Sequence, residues 1–77
     1  MNNFEALISK KIGTTLKQER IKQHLSQKDL ASGICSQGMI SSIEHGEYIP
    51  NTAIFLALCN RLNLSIDQNF LKEKLFF

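Results

Sequence analysis

Proline and glycine are scarce in this chain, with one Pro and four Gly among 77 residues. That is too little turn chemistry for an all-β domain and too little for a disordered segment. Two cysteines, Cys35 and Cys59, are too few for a disulfide scaffold and lack C-x-x-C spacing. Both have apolar neighbours, where a free thiol behaves as a small hydrophobe; a disulfide or redox switch is the other reading they leave open. The longest apolar run, Ala53 to Cys59, is seven residues, far short of the roughly 18 that a membrane span needs. The stretch Met1 to Ile8 carries Glu5 and no sustained apolar core, so it does not read as a signal peptide. A cytoplasmic protein without a membrane partner is expected. His24 and His45 have no Cys or carboxylate at ligand spacing, and neither a P-loop nor a dinucleotide-binding glycine pattern occurs. Ser, Cys and His are present without a recognisable triad, so no metal, no cofactor and no enzymatic activity are expected.

What is present suits one small helical domain spanning residues 1–77. The apolar fraction of 43% is ordinary for a globular protein, and a chain this short buries only about 60% of its unfolded surface, so its core must pack efficiently. The net charge of +2 is modest but unevenly spread. Residues 10–28 hold Lys10, Lys11, Lys17, Arg20, Lys22 and Lys28 against Glu19 alone, a local balance of +5, while the rest of the chain sums to −3. Clustered base is the footprint of a phosphate-contacting surface, although a solvated helix face looks the same from charge alone.

The punctuation predicts five helices. The first spans about residues 4–23 with Ile8, Ile12 and Leu16 along one face, and Gly13 inside it costs roughly 1 kcal/mol against Ala. Ser26, with Asp29 three residues on, caps a short second helix at about 27–32 that buries Leu30 and Ala31 and stops at Gly33. Ser36 caps a third at about 37–45 with Ile40 and Ile43 inward, ended by Gly46. Pro50 keeps Ile49 out of helical geometry; Asn51 then caps a fourth helix at about 52–62, and Ser65 a fifth from 66 to about 75.

The segment 27–45 has the form of a helix-turn-helix: two short capped helices joined by a few residues containing Gly, the second placed to enter a DNA major groove. Burial of Ile40 and Ile43 turns Gly38, Ser41, Ser42 and His45 outward, with Gln37 at the exposed start. The Gln37 amide both donates and accepts, which suits bidentate pairing with adenine, while the serines suit bases or phosphate. Free N–H groups at the helix starts near Gln27 and Gln37 suit phosphate.

The motifs L-S-Q-K-D-L-A at 25–31, I-S-S-I-E-H-G at 40–46, Y-I-P-N at 48–51 and L-N-L-S-I-D at 62–67 resemble the Cro/C1 (XRE) helix-turn-helix family over about residues 10–72. The resemblance implies an all-α, five-helix lambda-repressor-like domain that binds double-stranded DNA as a dimer and is nucleoid-associated. The turn G-I-C-S-Q, one residue shorter than the family's usual form, and the following G-E-Y-I-P resemble the DNA-binding heads of Rgg/PlcR-type peptide-responsive regulators. Those carry a C-terminal helical-repeat domain, so this chain is read as a fragment or truncated relative lacking its regulatory domain. By resemblance, Gln27 bonds a phosphate, Gln37, Gly38 and Ser42 occupy base-reading positions, and Arg20 and Glu44 form an ion pair joining the first and third helices. Lys28, Ser36, Ser41, His45 and Tyr48 complete the candidate DNA-contacting set. Ser42 stands where relatives often have Arg, Gly38 brings no side chain, and Glu19 replaces a usual apolar residue, so sparse readout that relies on a second subunit is expected.

The competing reading is an XRE-like module for protein interaction or dimerisation without specific DNA binding. The fourth helix is apolar nearly all round, which leaves Ile54, Leu56 and Ala57 for a partner once Phe55, Leu58, Cys59 and Leu62 face the core. Leu75, Phe76 and Phe77 extend that candidate surface.

Overall fold

A computed structural model describes residues 2–71. Four α-helices, α1 (Asn3–Lys22), α2 (Gln27–Ala31), α3 (Gln37–Glu44) and α4 (Thr52–Arg61), are followed by a π-helical turn, Asp67–Leu71. No strand occurs among the described residues, and no helix there is long and apolar enough to cross a membrane. The fifth helix, expected over 66–75, is described as a π-helical turn over Asp67–Leu71, opened by Ser65, whose Oγ accepts from the Gln68 amide at 3.2 Å; positions 72–75 lie outside the described residues. That turn carries Phe70 into the core, 5.1 Å and edge-on from Phe55. The expectations for Leu75, Phe76 and Phe77 lie outside the described residues.

Local chemistry accounts for the helix starts. Asn2 and Ser26 each form a reciprocal capping box, with Glu5 and Asp29 as the returning carboxylates. Asp29 is held below the usual carboxylate range, first by its hydrogen bond from the Ser26 backbone. Ser36 and Asn51 cap α3 and α4 through Met39 N–H at 3.0 Å and Ile54 N–H at 2.8 Å.

The helix ends follow one repeated device. After α1, α3 and α4, the residues His24, Gly46 and Asn63 sit at φ of 60°, 74° and 56°. In each case paired backbone bonds close the end: for α1, His24 N–H to Ile21 at 3.0 Å and Leu25 N–H to Arg20 at 3.0 Å. The same pairs occur as Gly46 to Ile43 with Glu47 to Ser42, and as Asn63 to Asn60 with Leu64 to Cys59. These are Schellman closures. Only one of the three positions is glycine, so His24 bears the crowding of its Cβ in the left-handed region. His24→Gly is expected to raise stability by about 1 kcal/mol, read as an upward shift in thermal midpoint; an unchanged or lower midpoint would contradict this account.

The helix-turn-helix junction is different. Ala31 O accepts from Ile34 N–H at 2.8 Å, with Ser32 at φ −51°, ψ 122° and Gly33 at φ 76°. That is a type II turn, whose third residue requires positive φ, so Gly33 turns the chain immediately as α2 ends. The five-residue α2 could not persist alone. Arg61, from the end of α4, holds it by donating from Nη1 to the carbonyls of Leu30 at 3.2 Å, Asp29 at 3.4 Å and, more closely, Ser32. A cation on the carbonyls that end a helix complements its dipole.

Leu16, Leu30, Ala31, Ile40, Ile43, Leu58, Cys59, Leu62 and Phe70 form the core. Helix α3 packs against both α1 and α2, and α2 also meets α4. Cys35 and Cys59 are free thiols; burial pushes Cys59 up to about 11 and raises Cys35, so neither is a thiolate at neutral pH.

Candidate nucleic-acid interface

The site is organised around the anchoring of α3. Its buried face is set by Ile40 and Ile43, each 1% exposed. Beside them the side chain of Glu44 is only 2% exposed, and four hydrogen bonds tie the surrounding groups together. Arg20 donates to it twice, from Nε to Oε2 at 2.7 Å and from Nη2 to Oε1 at 3.0 Å. Arg20 Nη1 also donates to Leu25 O at 2.8 Å, and Gln27 Nε2 donates to Glu44 Oε1 at 3.0 Å. Three segments meet on one carboxylate: α1, the start of α2 and the end of α3. The Glu44 hydrogen bond raises the Arg20 guanidinium above its ordinary value.

This network changes the character of two expected residues. Gln27 is half-buried, with its amide nitrogen turned toward Glu44, so it is not the freely exposed helix-start group that the sequence implied. The second amide proton makes no hydrogen bond among the described residues. Arg20 is committed internally, so the basic cluster presents lysines to solvent, among them the exposed Lys10, Lys17, Lys22 and Lys28.

Along α3, Gln37, Gly38 and His45 are exposed, as is Ser36 before it. Ser41 and Ser42 are half-buried. The exposed arc is narrower than 100° steps from two buried isoleucines suggest, because two helices rather than one flank α3. The His45 ring donates from Nδ1 to Ser41 O at 2.6 Å, a carbonyl that can only accept.

Gly38 and Ser42 share an open depression of about 360 Å³ with Ser36, Met39, Glu47 and Tyr48. Met39 and Glu47 were absent from the residues singled out in the sequence. No motif marks Met39, and Glu47 lies in the loop before Pro50; the Glu47 N–H to Ser42 O bond of 2.9 Å is what brings the loop back alongside the helix.

The expected partner surface on α4 is also narrower. Ile54 packs against the core and Ala57 is half-buried, whereas Leu56 is 48% exposed. Phe55 is half-buried against Phe70, so α4 wraps more of its circumference than one face.

A short braced helix followed by a capped, half-exposed helix defines the class: helix-turn-helix domains, a class of DNA-binding transcription regulators. A family model described as helix-turn-helix matches residues 16–69, and the chain belongs to that family, in its Cro/C1 (XRE) type. The chain is 36% identical over 67 residues to the "ImmF control region 10 kDa protein" of Bacillus phage phi105, an alignment covering 86% of this chain and 72% of that protein. No solved structure matches the chain.

Proposed function

We propose that this protein regulates transcription by sequence-specific binding to double-stranded DNA, as a homodimer with α3 in the major groove. The observation that carries this reading is the orientation of α3. Its inner face is held by Ile40, Ile43 and the Glu44 network, while Gln37, Gly38 and His45 stand in solvent at either end of the outer face. Gln37 is assigned to a base edge, with adenine the natural partner of its amide. Lys28 and the second amide proton of Gln27 are assigned to phosphate, as are Ser36 and the free N–H groups at the start of α3. Ser41, Ser42, His45 and Tyr48 complete the contact surface.

The dimer reading is supported by sparse base chemistry, which leaves one half-site weak, and by the exposed Leu56 on α4. The name of the phage relative places that protein in a control region, which accords with a regulatory role here. The G-I-C-S-Q turn supports kinship with the heads of Rgg/PlcR-type regulators, in which a further C-terminal domain supplies the switch.

Titration of labelled duplex against increasing salt tests the reading. Binding through several phosphates gives a steep linear loss of log affinity with log salt, whereas a protein-interaction module gives no duplex binding even at low salt. On a site selected from random DNA, Gln37→Ala is expected to cost about 1–3 kcal/mol and relax preference at one base pair. Lys28→Ala is expected to weaken all sequences alike. Unchanged preference in Gln37→Ala would remove the base-reading assignment, and the half-site spacing of the selected site reports the dimer.

A further inference from the structure

Glu47 is an exposed carboxylate with no hydrogen bond or ion pair among the described residues, and it lines the depression on the outer side of α3. On a DNA-facing surface this is an expensive place for an acid, because every nearby phosphate repels it. The repulsion is offset only where the carboxylate meets a donor, and in the major groove the donors are the amino groups of cytosine and adenine. Resting on the DNA-binding reading above, we infer that Glu47 selects cytosine, accepting a hydrogen bond from its N4 amino group.

The chemistry of the base edges favours cytosine over adenine. The adenine amino group lies beside the N7 acceptor, which would face the second carboxylate oxygen and repel it; the cytosine amino group lies beside an apolar C–H edge on the same base. That edge suits the apolar part of a mixed lining, to which Met39 and Tyr48 contribute alongside Glu47. Gly38 keeps the approach open, since a Cβ built there meets nothing nearer than Ser36 Oγ at 3.9 Å. The loop itself is well placed to hold the acid, because the Glu47 N–H is bonded to Ser42 O and the preceding Gly46 O accepts from the buried Ser9 hydroxyl at 2.7 Å. Glu47 therefore does two things at once: it reads one base pair, and it penalises DNA lacking that pair.

Sites selected from a random duplex pool by the wild type and by Glu47→Gln test this, with melting curves confirming that the exposed substitution leaves folding intact. The wild type is expected to enrich one C·G pair per half-site, beside the position that responds to Gln37→Ala. In Glu47→Gln the preference for that C·G pair over T·A falls by roughly fivefold to a hundredfold, while affinity for random duplex rises. An unchanged preference in Glu47→Gln, with the Gln37→Ala response intact, overturns the cytosine assignment alone. Enrichment of A·T at the Glu47-dependent position overturns it in favour of adenine. Absence of salt-dependent duplex binding by the wild type overturns the DNA-binding reading and this inference with it.

Discussion

Replacing Gly13 with alanine is expected to lower the melting temperature by roughly 12–24 °C, although the same change in an isolated helix would be stabilising. Propensity favours alanine by about 1 kcal/mol in a helix interior. Here a Cβ at position 13 would fall well inside contact distance of the Ile43 carbonyl oxygen and 3.2 Å from Glu44 Cα. Both obstacles are backbone, and neither is free to move. Ile43 O already accepts from Gly46 N–H at 3.0 Å, and Glu44 is anchored through Arg20. Four residues earlier on the same face, Ser9 is completely buried and donates to Gly46 O. Ser9 and Gly13 thus form a seam of small residues that lets α1 and the C-terminal end of α3 approach closely. Forcing them apart costs about 3 kcal/mol, and each kcal/mol in a domain of this size shifts the midpoint by about 4–8 °C. Gly38→Ala is the control, because a Cβ there meets only Ser36 Oγ, at an ordinary contact distance of 3.9 Å. It should leave the midpoint unchanged or raise it. A Gly13→Ala protein as stable as the wild type would mean that α1 and α3 are not in this register.

Glu44→Ala is expected to cost about 3–5 kcal/mol of folding stability, the range for stripping one partner from a buried ion pair. The guanidinium of Arg20 cannot escape by losing its proton, since arginine stays charged in proteins even without a carboxylate beside it. Removing the carboxylate leaves a largely buried positive charge, its side chain 12% exposed, with one remaining partner, Leu25 O. It also releases the Gln27 amide. Thermal melts of Glu44→Ala, Arg20→Ala and the double variant form the measurement. The double variant should be less damaged than the sum of the single ones, because it removes both charges. Duplex affinity measured well below the midpoint should change less than stability does. A Glu44→Ala melt superimposable on the wild type would mean that the pair does not hold α3.

These two expectations separate what is local from what is not. Ser26–Asp29, Ser36, Asn51 and Ser65 announce their helices in the sequence because a cap bonds to N–H groups two or three residues away. The inward set Leu16, Leu30, Ala31, Ile40, Ile43, Leu58, Cys59 and Leu62 follows from periodicity for the same reason. The helix ends are also local, yet His24 and Asn63 are quieter signals than Gly46, because a non-glycine residue can occupy the left-handed region at a cost. Part of the candidate site is equally readable: Gln37 and Gly38 open a capped amphipathic helix, and their exposure follows from the burial of Ile40 and Ile43.

The tertiary structure decided whatever depends on residues far apart in the chain. Gly13 reads as a flaw in a helix until α3 is laid across it. Arg61 reads as a surface cation until α4 brings it over the carbonyls that end α2. Gln27 reads as an exposed helix start until Glu44, 17 residues away, takes one of its amide protons. Glu47 reads as a loop acid until the turn after α3 returns it beside Gly38 and Ser42. By itself the sequence determined the helices, their caps and the outward face of α3, because hydrogen bonds over three or four residues and a 3.6-residue period settle them. The distance of closest approach between α1 and α3, and the set of side chains that share the depression, came only with the packed fold, because each depends on backbone and side chains that no short window contains.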